Sequence, residues 1–273
     1  WAAGNTAMEH LLMGLDTASL GRYPFTPVSL EEMELLPEPE YKGPRIGLLP
    51  GISAFVGADI AAGLLACGFG ERREESCRLF IDLGTNGEMA AAGKGRLICT
   101  ATAAGPAFEG GAAANVPGTD MIALLAEMLE TGIIDESGLL EDAYFEKGWQ
   151  KGALRITQQD IRALQMAKAA VCAGVELLME ALEIGASDVE QVFLAGGFGY
   201  YLDVEKAARI GLFPAELADK VTAVGNTSLL GTCLYGGDPS LREKTKDLCR
   251  RAEVMNLAEQ PGFEERYLGR LNF

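Results

Sequence analysis

Histidine is almost missing from this sequence: His10 is the only one in 273 residues. Imidazole zinc sites and Ser-His-Asp or Cys-His catalysis therefore have almost nothing to build on. His10 lies between Met8 and Leu11-Leu12 on an expected helix, which gives it a packing or surface role. The six cysteines (67, 77, 99, 172, 233 and 249) are scattered, with no C-x-x-C pair and no ferredoxin spacing. The chain thus has no iron–sulfur cluster of its own, and most of these thiols belong to apolar segments as reduced, buried side chains. No apolar run reaches the roughly 18 residues of a membrane span, and no signal peptide opens the chain. Basic residues are outnumbered 23 to 39, for a net charge of −16. That balance argues against nucleic acid or an anionic membrane as partner, because both need clustered Lys and Arg; acidity alone serves solubility. The composition predicts a soluble, cytoplasmic protein. With 48% hydrophobic residues, it can bury one large core or two smaller ones.

Two glycine-bearing strings carry most of the information. In Ile81-Asp82-Leu83-Gly84-Thr85-Asn86-Gly87-Glu88, an apolar strand ends in a carboxylate and then a tight turn. Such a turn can cradle phosphate oxygens with its N–H groups, and Asp82 can hold magnesium through water. In Leu194-Ala195-Gly196-Gly197-Phe198-Gly199, a second strand ends where only a residue without Cβ lets the backbone lie against a flat ligand such as a purine. Each string is weak alone. In this order, on both sides of a long helix, they point to an ATP site.

The element order places these strings. Asn5 caps an amphipathic helix running to about Leu15, and 16–44 is a Pro-rich, acidic excursion. A strand at Ile46–Leu49 and an Ala/Gly-rich helix over Ser53–Cys67 follow. Three strands, Cys77–Leu83, Glu88–Ala92 and Arg96–Thr100, form a meander with Gly93-Lys94-Gly95 as a hairpin turn. A helix over Thr119–Glu130 and a polar connector from Asp135 to Gly152 lead to Thr157, which caps a long helix ending near Leu182. Strands at Val189–Leu194 and Val221–Val224 alternate with helices at Val204–Ile210 and Asn226–Leu234, and an outer helix spans Pro239–Met255. This predicts an α/β fold with a ribonuclease-H-like lobe.

Ala3-Gly4-Asn5-Thr6-Ala7-Met8 echoes Val224-Gly225-Asn226-Thr227-Ser228-Leu229, and both lead into apolar helices. Chance can produce so short a match, since Asn-Thr is a common cap pair. The repeat is preferred because a helix follows both times. It implies that the chain, starting at Trp1, is cut inside an earlier, related lobe. The expected division is 1–75, the remainder of a truncated first lobe with its Pro-rich excursion, and 76–273, a second, complete lobe.

At these residues, and at Phe55-Val56-Gly57-Ala58-Asp59-Ile60, Ala104-Gly105-Pro106-Ala107-Phe108-Glu109-Gly110 and Ile210-Gly211-Leu212-Phe213-Pro214, the chain resembles the C-terminal region of reductive activators of corrinoid proteins. These belong to the acetate kinase, sugar kinase, heat-shock ATPase and actin superfamily. The resemblance implies two actin-like lobes closing on MgATP. It implies an ATPase-coupled activity that returns Co(II) corrinoid on a methyltransferase or corrinoid protein to Co(I), and it allows a homodimer. A 2Fe–2S cluster and a first phosphate motif are expected only in a missing N-terminal region, so a fragment of this length should be inactive alone. The runner-up is a small-molecule kinase of the acetate or sugar type, for which no acceptor motif is seen; a nucleotide-free interaction domain is the third reading.

Asp82 is the leading catalytic and metal-orienting candidate, although a turn cap would account for the same carboxylate. Glu88 could reach the same metal or attacking water, or simply be solvated. Gly84, Thr85, Asn86 and Gly87 would donate to phosphates. By the resemblance, Glu109 with Gly110 lies near the ribose, and Gly196, Gly197 and Gly199 shape the adenine contact. Asn226 would face the cleft or merely cap its helix. Asp59, acidic among apolar neighbours, either faces the cleft or makes a structural hydrogen bond.

Overall fold

A computed structural model describes residues 1–36, 43–70, 76–109, 118–152, 154–197 and 202–273. In chain order the helices and strands are α1 (Thr6–Leu12), β1 (Met33–Leu35), β2 (Ile46–Leu48), α2 (Ala58–Ala66), β3 (Cys77–Leu83), β4 (Gly87–Gly93) and β5 (Arg96–Thr102). Then come α3 (Gly118–Glu130), α4 (Asp142–Phe145), β6 (Trp149–Lys151), β7 (Leu154–Ile156) and α5 (Gln158–Ala181). The last are β8 (Val189–Ala195), α6 (Val204–Arg209), β9 (Val221–Gly225), α7 (Thr227–Gly237), α8 (Pro239–Arg251), β10 (Glu253–Val254) and α9 (Phe263–Gly269). The expected α/β alternation is present. The chain forms two compact units: Trp1–Ser76 with Ala92–Thr100 and Asn226–Met255, and Cys77–Ala91 with Ala101–Gly225 and Asn256–Phe273.

The first unit is organised by close helix packing. A Cβ on Gly231 of α7 would lie 1.9 Å from the carbonyl oxygen of Ala62 in α2, so the two backbones touch where no side chain fits. Around that crossing Leu49, Ala58, Ala62, Leu65 and Tyr235 form a buried core. The Tyr235 hydroxyl donates to the Glu32 carboxylate, and burial with that hydrogen bond pushes the phenol well above its ordinary pKa. The Trp1 ring meets Tyr235 edge-on at 5.1 Å, with the Arg242 guanidinium 4.4 Å over the indole.

The two echoing segments are built alike. The Asn5 side chain accepts the Met8 N–H at 2.9 Å, and Asn226 accepts the Leu229 N–H at 2.9 Å. Both following threonines, Thr6 and Thr227, are buried. His10 is structural, as its apolar neighbours imply: one ring nitrogen bonds the Thr6 carbonyl at 2.7 Å, and the other accepts the Val28 N–H at 3.0 Å. It thereby ties the following loop to α1. The helix expected from Ser53 starts at Ala58 instead, because Ile52 and Ser53 donate to the Val56 carbonyl and close a turn there.

In the second unit the strands run in the order β4-β3-β8-β9. β3, β8 and β9 are parallel, with Ile81 opposite Leu194 and Asp82 opposite Ala195. The long helix α5 begins with a full capping box: Thr157 accepts the Asp160 N–H, and Asp160 accepts the Thr157 N–H at 2.8 Å. It packs over β4, where Gly174 leaves room for the Met89 side chain. Several elements went unforeseen. β1 lies in the Pro-rich excursion, α4 and β6 lie in the polar connector, β7 pairs with β6 just beyond it, and the expected outer helix ends at Arg251 before β10. α9 lies along α5 with Arg266 paired to Glu180 and Arg270 to Glu176.

Candidate functional site

Parallel strands bring their C-terminal ends to one edge, which is where open α/β sheets hold ligands. β3 reaches that edge with Leu79, Phe80 and Ile81 buried, Asp82 half-buried and Leu83 buried. β8 reaches it at Ala195, in register with Asp82, and β9 at Gly225. The three ends are fastened around Gly196, whose N–H donates to the Gly225 carbonyl at 3.1 Å.

Gly196 has φ +103° and no room for a side chain: a Cβ there would lie 2.3 Å from the Leu83 oxygen and 3.0 Å from Asp82 Oδ1. Its glycine is therefore demanded by the meeting of two strand ends. Gly197 is the opposite case, with nothing among the described residues within 4 Å of its Cβ position. Of the two it is the one that leaves backbone accessible.

The turn after β3 is held by the Gly84 N–H donating to the Asn86 carbonyl at 2.9 Å. Thr85 and Asn86 are exposed at its tip, and Glu88 is half-buried on β4. Gly87 closes the turn from below; a Cβ there would sit 3.0 Å from Val171 of α5 and 3.2 Å from Thr102. The turn thus rests on the long helix. Among the sequence-predicted residues, the structure brings Asp82, Gly84, Thr85, Asn86, Gly87, Glu88, Gly196 and Gly197 to the same unit, and Asp82 directly to Gly196. Glu109 ends the turn Pro106–Glu109 of that unit. Gly110 and Gly199 lie outside the described residues. Asn226 belongs to the other unit, where its carboxamide serves as a helix cap.

No group of three or more His, Cys, Asp or Glu side chains suited to a metal occurs among the described residues. A cavity of about 600 Å³ also opens in this unit, bordered by Thr102, Ala104, Met166, Ala170, Phe263 and Tyr267. Ala104, Gly105 and Ala107 of the Ala104–Gly110 string line it, whereas Asp82, Glu88 and the Gly84–Gly87 turn do not.

Sequence reasoning missed a buried polar pair on α5 and the buried Glu9 that accompanies Asp59. On α5, Gln165 and Lys168 are almost fully buried and donate to the Leu271 and Asn272 carbonyls. Burial lowers the Lys168 ammonium to a pKa of about 8. The signal was a polar pair inside the apolar stripe that carries Ile161, Leu164 and Val171. At the start of α1, burial raises Glu9 to about 8, and burial also raises Asp59 on α2. Asp59 makes a local hydrogen bond, its Oδ1 accepting the Ile60 N–H at 2.9 Å.

The family model described as the C-terminal domain of RACo, the ASKHA domain, matches residues 76–116 and 111–273. A second, the RACo middle region, matches 1–72. The chain belongs to the RACo family. Its curated relatives include the corrinoid activation enzyme RamQ of Eubacterium limosum, 31% identical over 97% of this chain and 54% of that protein. The Co(II) methylated amine-specific corrinoid protein reductase of Methanosarcina barkeri is 28% identical over 66% of this chain and 42% of that protein. A solved reductive activator for corrinoid, iron–sulfur protein superposes with a TM-score of 0.86 at 28% identity, covering 99% of this chain and 52% of that one. This RACo chain thus spans about half the length of the relatives it matches, and its α/β fold is that of an ASKHA domain. Among the described residues, no helix is long and apolar enough to cross a membrane.

Proposed function

We propose that this chain is the nucleotide-binding part of an ATP-dependent reductive activator, which helps return a Co(II) corrinoid protein, or a corrinoid-dependent methyltransferase, to the Co(I) state. The observation that carries the reading is the seating of Asp82 beside Gly196 at the ends of adjacent parallel strands, with a turn exposed at Thr85 and Asn86 on one side and exposed backbone at Gly197 on the other. A carboxylate next to a turn of N–H donors suits a magnesium-bound polyphosphate, and accessible glycine backbone suits the flat face of a base.

In this reading Asp82 orients magnesium through water, Thr85 and Asn86 donate to phosphate oxygens, and Glu88, on β4 just after the turn, positions water. MgATP, when bound, supplies a phosphoanhydride whose binding or hydrolysis favours one conformation of the protein. Because positioning and electrostatics provide most of the rate in phosphoryl transfer, the rigidity of the turn on Val171 matters as much as its donors. A nucleotide can shift a conformational equilibrium only through unequal affinity for the two states. Reduction therefore follows nucleotide occupancy if the corrinoid partner is gripped differently in each state. The names of the relatives support the corrinoid partner.

The test is steady-state ATPase and corrinoid reduction by the intact protein, with a Co(II) corrinoid protein and a chemical reductant. Gly197→Val should weaken nucleotide binding without unfolding the chain, because its Cβ position is open. Nucleotide affinity equal to wild type in that variant would remove Gly197 from the site.

A further inference from the structure

Two acids, Glu9 and Asp59, both bond to Gly4 where α1 and α2 begin, in a different unit from Asp82 and Gly196. Glu9 is 6% exposed. Its carboxyl group accepts the Gly4 N–H, while Oε1 is fully covered and makes no hydrogen bond. The charged group acting on it is Asp59, and among the described residues no cation does so. The junction is tight: Asp59 N–H donates to the Gly4 carbonyl at 3.2 Å. A Cβ on Gly57 would lie 2.6 Å from Asn5 Cα and 2.8 Å from Asp59 Oδ1. His10, next along α1, has both ring nitrogens engaged by Thr6 and Val28 and offers Glu9 no proton.

An ionised carboxylate buried without a cation, facing a second carboxylate, is unfavourable by several kcal/mol, and such pairs relieve it by retaining a proton. A proton on Glu9 removes the charge from a carboxyl group whose Oε1 has no donor to stabilise it. We propose that Glu9 is held as the neutral acid, which makes the α1–α2 junction a proton-binding site that fastens the two helix starts together. The change is the gain or loss of one solvent proton by the Glu9 carboxyl group, with no other bond altered.

Its direction follows from burial. Glu9 titrates near 8 in the folded chain against 4.5 for an ordinary glutamate, so the folded state holds the additional proton between those values. Stability from this junction is present at the acidic end of that window and is lost as pH rises through about 8.

Hydrogen exchange on the intact protein, corrected for the intrinsic rate, reads this out in peptides covering α1 and α2. Protection there should fall about tenfold between pH 7 and pH 9, one unit past the midpoint. In Glu9→Gln, which mimics the neutral acid, it should stay flat. Infrared spectra should show a protonated carboxylic acid at pH 6.5 that disappears by pH 9.5 and is absent from Glu9→Gln. Should that variant not fold, Asp59→Asn provides the second measurement: removing the facing charge should move the midpoint of the acid band downward. An acid band missing at pH 6.5, or parallel loss of protection in wild type and Glu9→Gln, overturns the proposal. Full recovery of protection at pH 9 on adding magnesium also overturns it, since a cation rather than a proton would then neutralise the pair.

Discussion

Replacing each member of the Gly196-Gly197 pair by alanine separates what the fold demands from what a ligand demands. At Gly196 the new Cβ would stand 2.3 Å from the Leu83 oxygen, a backbone atom that cannot swing aside, and 3.0 Å from Asp82 Oδ1. The φ of +103° adds strain of about 1–3 kcal/mol for a residue with a Cβ. Overpacking against fixed atoms adds another 1–3 kcal/mol or so. Gly196→Ala should therefore lose roughly 3 kcal/mol, which for a domain of this size lowers Tm by about 6–12 °C. Gly197→Ala meets nothing among the described residues within 4 Å and should melt within about 1 °C of wild type. Differential scanning calorimetry of both variants, alone and with MgATP, gives the comparison. Wild type should gain Tm with nucleotide, and Gly197→Ala should gain less while starting from the same apo value. A Gly196→Ala variant as stable as wild type would show that the strand ends do not meet as described. A full nucleotide shift in Gly197→Ala would show that this stretch of backbone is not in contact with the base.

Three other substitutions follow from local geometry. Gly231→Ala drives a Cβ to 1.9 Å from the Ala62 oxygen and should destabilise the chain by about 3 kcal/mol or more, seen as a lower denaturant midpoint. Thr157→Ala removes half of the capping box that starts α5, a loss of about 1–2 kcal/mol by the same assay. For Lys168 the burial that lowers its pKa to about 8 makes the folded state give up a proton that the unfolded chain keeps. Stability should therefore rise as pH goes from 8 towards 10.5, and Lys168→Met should abolish that rise in pH-dependent melts.

Local rules account for what could be seen in the sequence. The β3–β4–β5 meander is legible because short apolar strands are separated by glycine turns, and Lys94 and Gly95 do take positive φ, 51° and 76°. The capping residues Asn5, Thr157 and Asn226 are legible because a cap is defined within four residues. The β6–β7 hairpin is not, since its strands are three residues long and carry no alternation that distinguishes them from a polar loop. Nor is the buried pair Gln165–Lys168, whose partners Leu271 and Asn272 lie more than a hundred residues away. At the site, Asp82 and both glycines could be named from their strings, but their purposes could not be separated. Only the register of β3 against β8 reveals that Gly196 answers to Leu83 while Gly197 faces open space. For Asn226 the capping alternative is the one its hydrogen bond displays.

The reading depends most on Asp82, and one substitution tests it. Asp82→Asn preserves size and turn geometry while removing the charge that would hold magnesium. Steady-state ATP turnover by the intact protein, measured with a Co(II) corrinoid partner and a chemical reductant present, should fall by at least about a hundredfold, the scale typical of losing one electrostatic contact to the transition state. Corrinoid reduction should fall with it, at an unchanged Tm. ATP turnover in Asp82→Asn equal to wild type would contradict the account and leave the glycine turns with a structural role alone.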